Sequence, residues 1–215
     1  MNNETPYVVS CDFQKMNLPN KLTVSRFVLT AFFLWALFWP TPIPFRHTLA
    51  LVLFCIASFT DFLDGKIARA RGLITNFGIL MDPLADKILT CSAFIAFVES
   101  SRLQPDAPVK VAAWMVIVIV ARELTITGLR LLAASKGVVL SAERFGKHKT
   151  ISQIAAIIAL LVTDAKNEWP PLLQSIFQGW SVTFTEIALW LTVVLTAASG
   201  MIYLWRNRRI YLSDI

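Results

Sequence analysis

Four aspartates, Asp61, Asp64, Asp82 and Asp86, stand close together in a chain that is otherwise largely apolar. An ionised carboxylate in such surroundings is costly unless it is solvated, paired or bound to metal, so a cluster of four marks a functional site. On helices, Asp61 and Asp64 at i, i+3 share one face, and Asp82 and Asp86 at i, i+4 share another. Four like charges converging on one point stay ionised only if cations come with them. Oxygen donors with no His or Cys close by in sequence favour Mg²⁺ or Mn²⁺, and shared carboxylates suit two ions about 4 Å apart. That equipment activates phosphoryl groups. Pairing with Arg69, Arg71 and Lys87 would satisfy two or three of the charges, but it leaves Gly65 and Ala68 unexplained. These small residues let a ligand approach the helix between the acids.

A second tier is basic. Arg26 lies in the first apolar run, Arg122, Glu123 and Arg130 in the fourth, and Gly146-Lys147-His148-Lys149-Thr150 opens the fifth. Each has an ordinary reading: Arg122 and Glu123 as neighbours that lower each other's insertion cost, the lysines as topological charge. Together they supply cations beside a metal and phosphate site, as an acceptor carrying its own phosphate requires. Lys87 follows Asp86 directly and points elsewhere on a helix, so a lysine snorkelling to the interface is at least as good a reading as a ligand. His47 and His148 have no acidic or Cys partners at ligand spacing and read as loop residues, His148 with some access to an acceptor.

The elements that must position these groups follow from hydropathy. The 215 residues have a mean hydropathy of +0.61, which fits one polytopic membrane domain. Six apolar runs, at about 22–39, 48–68, 75–98, 111–134, 150–162 and 184–205, predict an all-α protein of six transmembrane helices. A short N-terminal interfacial helix precedes them, within a leading segment 1–21, and a tail 206–215 follows the membrane domain 22–205. Runs of this length exclude a β-barrel. Twelve lysines and arginines fall in the leading segment, the even-numbered loops and the tail, against Arg46, Arg102, Lys110 and Lys166 in the other loops. The positive-inside rule then places both termini and the acidic cluster in the cytoplasm. A net charge of +6 points, in this setting, to anionic headgroups and phosphorylated substrates and away from nucleic acid. Cys11, Cys55 and Cys91 are scattered, without metal or disulfide spacing, and read as packing residues. Trp39, Trp169, Trp180 and Trp205 read as interfacial anchors. The N-terminus opens polar and acidic, unlike a cleaved signal peptide.

The spacing D-x2-D-G-x2-A-R-x8-G-x3-D-x3-D over residues 61–86 matches the signature of the CDP-alcohol phosphotransferases, which this chain closely resembles. The resemblance implies that Asp61, Asp64, Asp82 and Asp86 bind two divalent ions gripping the pyrophosphate of a CDP-linked lipid. It implies that Gly65, Ala68, Arg69 and Thr75 line the cytidine and phosphate pocket, and that Asp86 is the general base. Leu18-Pro19-Asn20-x-Leu22-Thr23-x-x-Arg26, the Asp82-Pro-x-Ala-Asp-Lys87 run, Ala121-Arg-Glu123 and Gly146-Lys-x-Lys-Thr-x-x-Gln153 resemble the bacterial phosphatidylglycerophosphate-forming members. For these, CDP-diacylglycerol is the donor and sn-glycerol 3-phosphate the acceptor, with Asn20, Thr23, Arg26, Arg122, Arg130, Lys147 and Lys149 as acceptor or phosphate ligands. A bacterial inner membrane is the implied location.

Two other readings stand at this point. Members making cardiolipin, phosphatidylserine or phosphatidylinositol phosphate share the aspartates and differ in acceptor. A divalent-cation transporter would use the acids as a permeation site, but it leaves Gly65, Ala68, Arg69 and the lysines idle, and arginine beside a cation path is counterproductive. Six short spans leave lipid-facing surface for a homodimer, with no face selected.

Overall fold

The computed structural model describes residues 18–39, 44–71, 76–104, 106–138 and 144–212. Along 18–20, 22, 61–71, 76–80, 82, 83, 86, 144–147, 209 and 212 it describes the backbone alone. Within them every regular element is helical: α1 (Leu18–Phe38), α2 (Arg46–Arg71), α3 (Asn76–Leu103), α4 (Ala113–Ser135), α5 (Arg144–Ala165), α6 (Pro171–Gln178), α7 (Ser181–Arg206) and α8 (Arg208–Leu212), with a 3₁₀ turn at Lys166–Glu168. The six long helices coincide with the six apolar runs, most of them extended by several residues. α1 begins at Leu18, so residues expected in the leading segment already form its first turn. α3 continues to Leu103, into a stretch expected as polar loop. The segment between the fifth and sixth apolar runs contains the 3₁₀ turn and α6. The expected interfacial helix ahead of Leu18 lies outside the described residues.

The breaks have local causes. Trp39-Pro40 stops α1, since proline cannot donate to the helix and disfavours helical geometry in the residue before it. α4 ends at Gly137, whose φ of 73° is the left-handed conformation a C-terminal cap needs. Val138 N–H then donates to the Ala133 carbonyl at 2.9 Å and Gly137 N–H to that of Ala134 at 3.0 Å. Pro171 opens α6, where a missing N–H costs nothing.

One apolar core joins all six long helices, with Phe33, Phe54, Phe94, Ile119, Ile157, Leu161 and Leu189 essentially inaccessible. Ala36, Ala50, Ala57, Ala93 and Ala156 are buried among them, and small residues at helix crossings let backbones approach closely. α1 packs on α2 and α3, α5 on α2 and α7, and α4 on α3 and α7. α4 and α7 run parallel: Trp114 meets Trp190 at one end, and Lys136 Nζ donates to the Ile210 carbonyl at the other, 2.7 Å away. The outside is apolar too, with Ile117, Leu124, Leu131, Ile187 and Met201 exposed. Among the described residues one helix, Ser181–Arg206, is long and apolar enough to cross a membrane by length and composition.

At the end remote from the α2/α3 connection, Glu168 closes the bundle. His47 and Thr48 N–H at the start of α2 donate to its two carboxylate oxygens at 2.9 Å each, and the Thr48 hydroxyl donates at 2.7 Å. Trp169 Nε1–H donates in turn to Thr48 Oγ1 at 3.0 Å. These are the orphan donors of a helix N-terminus, satisfied by an acid 120 positions away instead of a local cap. Burial pushes the Glu168 carboxyl up, but the bonds from Thr48 and His47 outweigh it and hold the group below its ordinary value. His47 is thus part of the first turn of α2, with Arg46 Nε donating to its Nε2 at 3.0 Å, and not a loop residue. A cavity of about 230 Å³ lined by Trp39, Arg46, His47, Phe97 and Gln104 lies at this same end, away from the aspartates.

Candidate active site

α2 and α3 are consecutive helices in contact with each other, joined by a short connection, and each carries one aspartate pair. Asp64 lies seven residues before the end of α2 at Arg71, and Asp82 six residues after the start of α3 at Asn76. At a rise of about 1.5 Å per residue both stand about 10 Å from the connection, at matched depth. Along their own helices, Asp61 and Asp86 are likewise each ten residues from the connection. The side chains of these four, and of Gly65, Ala68, Arg69, Lys147 and Asn20, lie outside the described residues, as does Thr75 altogether.

The residue that follows Asp86, Lys87, belongs to a cluster of charged side chains. Glu123 of α4 is buried, with only 4% of its surface exposed. Lys149 Nζ of α5 donates to its Oε1, and Lys87 Nζ of α3 to its Oε2 at 3.3 Å. Arg122 Nη1 and Gln153 Nε2 approach Oε1 at 3.4 Å each. Lys149 and Gln153 are one turn apart on α5, so the face of α5 that packs inward carries both. Three helices thus place three cations around one carboxylate, in a setting where Glu123 and Lys149 are almost inaccessible.

That arrangement revises two readings. Lys87 is held inward by Glu123 instead of snorkelling to an interface. Glu123 is more than a sequence neighbour of Arg122: its strongest partner is Lys149, 26 residues away. The signal available in the sequence was the acid itself, because a Glu within an apolar span demands cations. What spacing alone could not identify was which cations, since they come from α3 and α5.

Among the described residues the cluster carries three positive charges and one negative. Arg122 is 13% exposed, and among the described residues its Nε has no hydrogen-bond partner. Buried guanidinium donors are normally satisfied, and such a donor suits an anion. Arg130, two turns further along α4 from Glu123, stands apart from the cluster. Its guanidinium lies over the Tyr203 ring of α7 at 5.8 Å, with Nε 3.4 Å from the hydroxyl. Thr23 and Arg26 are fully buried on α1, one turn apart, on a helix packed against both aspartate-bearing helices. Lys149 is buried and engaged with Glu123, while His148 beside it is exposed.

Comparison with known proteins shows the family. A CDP-alcohol phosphatidyltransferase family model matches residues 16–204. A Bacillus subtilis CDP-diacylglycerol–glycerol-3-phosphate 3-phosphatidyltransferase is 40% identical over 201 residues, covering 89% of this chain and 95% of that protein. A Rickettsia bellii protein of the same name is 32% identical over 187 residues, covering 87% of this chain and 93% of its own. A probable phosphatidylglycerophosphate synthase of Mycobacterium tuberculosis is 39% identical over 145 residues, 66% of this chain and 64% of that one. The match takes in the aspartate helices, the Glu123 cluster and nearly all of α7, and the chain belongs to the CDP-alcohol phosphatidyltransferase family.

Proposed function

We propose that this chain transfers the phosphatidyl group of CDP-diacylglycerol to sn-glycerol 3-phosphate, releasing CMP and forming phosphatidylglycerophosphate. The observation that carries the acceptor assignment is the cluster of Lys87, Arg122 and Lys149 around Glu123, one helical position from Asp86. Its three cations around one carboxylate, and an Arg122 Nε with no partner among the described residues, suit a phosphate monoester. Serine, inositol without phosphate, or a bare alcohol would leave that charge unanswered. The relatives that carry the glycerol-3-phosphate name support the same acceptor.

The donor set of Asp61, Asp64, Asp82 and Asp86, all hard oxygen ligands on two consecutive helices, fits two Mg²⁺ or Mn²⁺ ions. Bound there, such ions supply charge neutralisation for a pyrophosphate and its departing nucleotide. The protein's own part is to hold and orient. Gly65, Ala68, Arg69 and Thr75 line the nucleotide pocket, and Arg122, Lys147 and Lys149 hold the acceptor's phosphate, with Asn20, Thr23, Arg26 and Arg130 around it. Asp86 accepts the proton of the attacking hydroxyl, which adds to the phosphorus of the phosphatidyl group as the bond to CMP breaks.

The chain, on this reading, is a membrane protein with six spans built on α1, α2, α3, α4, α5 and α7, residues 22–205, in a bacterial inner membrane. Its apolar exterior supports that placement, as do the charges. Both termini, the leading segment 1–21, the tail 206–215 and the aspartates face the cytoplasm, where CMP leaves. α6 lies in the opposite interface, with Leu172 and Ile176 exposed beside Trp180. The diacyl tails remain in the bilayer, and lipid-facing surface is left for a homodimer.

The test is to offer purified protein labelled CDP-diacylglycerol with glycerol 3-phosphate, serine, inositol phosphate and phosphatidylglycerol in parallel. Glycerol 3-phosphate should be consumed with stoichiometric CMP release. Preference for another acceptor overturns the assignment, and absence of CMP with every acceptor overturns the transferase reading in favour of cation transport.

A further inference from the structure

α7 contributes no charged residue to the site, yet one of its glycines touches the site's machinery. A Cβ built at Gly200 would stand 2.8 Å from Cγ of Arg122, 3.7 Å from its Cβ and 4.0 Å from its Cδ. The first separation is shorter than carbon atoms tolerate. The atom struck is near the root of the arginine side chain, so the conflict cannot be relieved by bending a flexible tip. Gly200 is buried, and the helices at this level are held by Ile126, Leu129 and Tyr203, so α4 and α7 are not free to part. Arg122 would have to turn about its first torsions, and a small rotation there sweeps the guanidinium through a larger arc.

We propose that Gly200 is a positioning residue for the acceptor phosphate: by lacking a side chain, it gives the Arg122 stem the channel along α7 that aims its guanidinium into the Glu123 cluster. The reason for glycine is this close approach and not backbone conformation, since Gly200 sits within a regular helix. Gly128 of α4 supplies the contrast, because nothing lies within 4 Å of a Cβ built there. The inference rests on the reading of the cluster as the acceptor-phosphate site.

The experiment compares Gly200→Ala, Arg122→Ala, the double variant and Gly128→Ala, each assayed in detergent for KM toward glycerol 3-phosphate and toward CDP-diacylglycerol, with a melting curve. Gly200→Ala should raise the acceptor KM about tenfold, consistent with misplacement of a positioning group by a fraction of an ångström, and leave the donor KM within about twofold. In the Arg122→Ala background, where no Cγ remains to be struck, adding Gly200→Ala should leave both KM values unchanged and should not lower the melting temperature. Gly128→Ala should resemble wild type. Equal effects of Gly200→Ala in both backgrounds, or equal effects on both substrates, overturn the proposal. If Gly200→Ala fails to fold, the double variant decides: recovery upholds it, continued failure overturns it. Should Arg122→Ala leave the acceptor KM unchanged, the phosphate-site reading itself falls. A raised KM in Arg122→Ala beside a normal one in Gly200→Ala removes only the positioning role.

Discussion

Replacing Glu123 with glutamine isolates the charge at the centre of the cluster. The amide preserves shape and one acceptor oxygen, but Lys87, Arg122 and Lys149 lose their shared counter-ion. Removing one partner of a buried pair costs about 3–5 kcal/mol, because the remaining charge is left uncompensated. Glu123 and Lys149 side chains are 5% and 6% exposed, so water screens little of that cost. Lys87, at 21%, can recover part of its solvation. The lower end of the range, about 3 kcal/mol, is therefore the expectation, and in a chain of this size it lowers Tm by about 6–12 °C. The assay is tryptophan fluorescence during heating of the detergent-solubilised protein in buffer free of phosphate. Inorganic phosphate should then raise the Tm of Glu123→Gln more than that of wild type, since three unneutralised cations bind a dianion more strongly than a cluster that already holds a carboxylate. A variant melting within about 2 °C of wild type would refute the reasoning, because it would put the net worth of the central charge below 1 kcal/mol. A phosphate response no larger than wild type's would refute the anion-seeking part of it.

Asp61→Asn, Asp64→Asn and Asp82→Asn should each abolish turnover by weakening divalent-ion binding, and near-normal turnover at moderate Mg²⁺ would remove that residue from the site. Asp86→Asn should still bind CDP-diacylglycerol while slowing turnover by about 10²- to 10⁴-fold, as loss of a general base does; binding lost together with turnover would make Asp86 chiefly a metal ligand. Lys147→Ala should raise the KM for glycerol 3-phosphate more than that for CDP-diacylglycerol, and an equal rise would relocate Lys147 to the nucleotide pocket. Glu168→Gln should cost about 1 kcal/mol through loss of the charged cap on α2. Because the folded carboxyl titrates below its ordinary value of 4.5, its contribution is present above that pH and fades as pH falls through the folded value. The Tm gap between wild type and Glu168→Gln should accordingly be constant near neutrality and close in acid, and a gap that does not change with pH would exclude the capping role.

The parts of this molecule written in local sequence could be read from it. Asp61 and Asp64, and Asp82 and Asp86, announce themselves because their spacings are helical and their cost in an apolar run is high. The six long helices follow from runs of apolar residues, and Trp39-Pro40 and Gly137 mark ends by chemistry that acts over a few residues. α6 also has a local signal: Pro171 as a helix start, then Leu172, Leu173, Ile176 and Phe177 at amphipathic spacing. The rest depends on contacts between distant positions. Nothing near Glu168 says that it caps α2, and nothing near Glu123 says that Lys149 will reach it before Arg122 does. Gly200 lies in a helix that, read alone, is only apolar, and its role exists because α7 runs parallel to α4 at the level of Arg122.

The two charge clusters make better sense together than apart. Four carboxylates on α2 and α3 are stable at close range only with added positive charge, and three cations around Glu123 are stable only with added negative charge. Lys87, the sequence neighbour of Asp86, is turned to Glu123 on a different helix. On the proposed reading Glu123 restrains the cations, and their charge serves an incoming phosphate. A path for divalent cations gains nothing from such a cluster one helical position from its ligands, since it would repel the traveller. On the proposed reading a transferase gains order: the acids would hold the divalent ions that neutralise the donor's pyrophosphate, the cations would hold the acceptor's phosphate, and the reacting hydroxyl would lie between them, next to Asp86. Electrostatics in this arrangement selects which substrate occupies which half of the site, before any shape in the pocket is consulted.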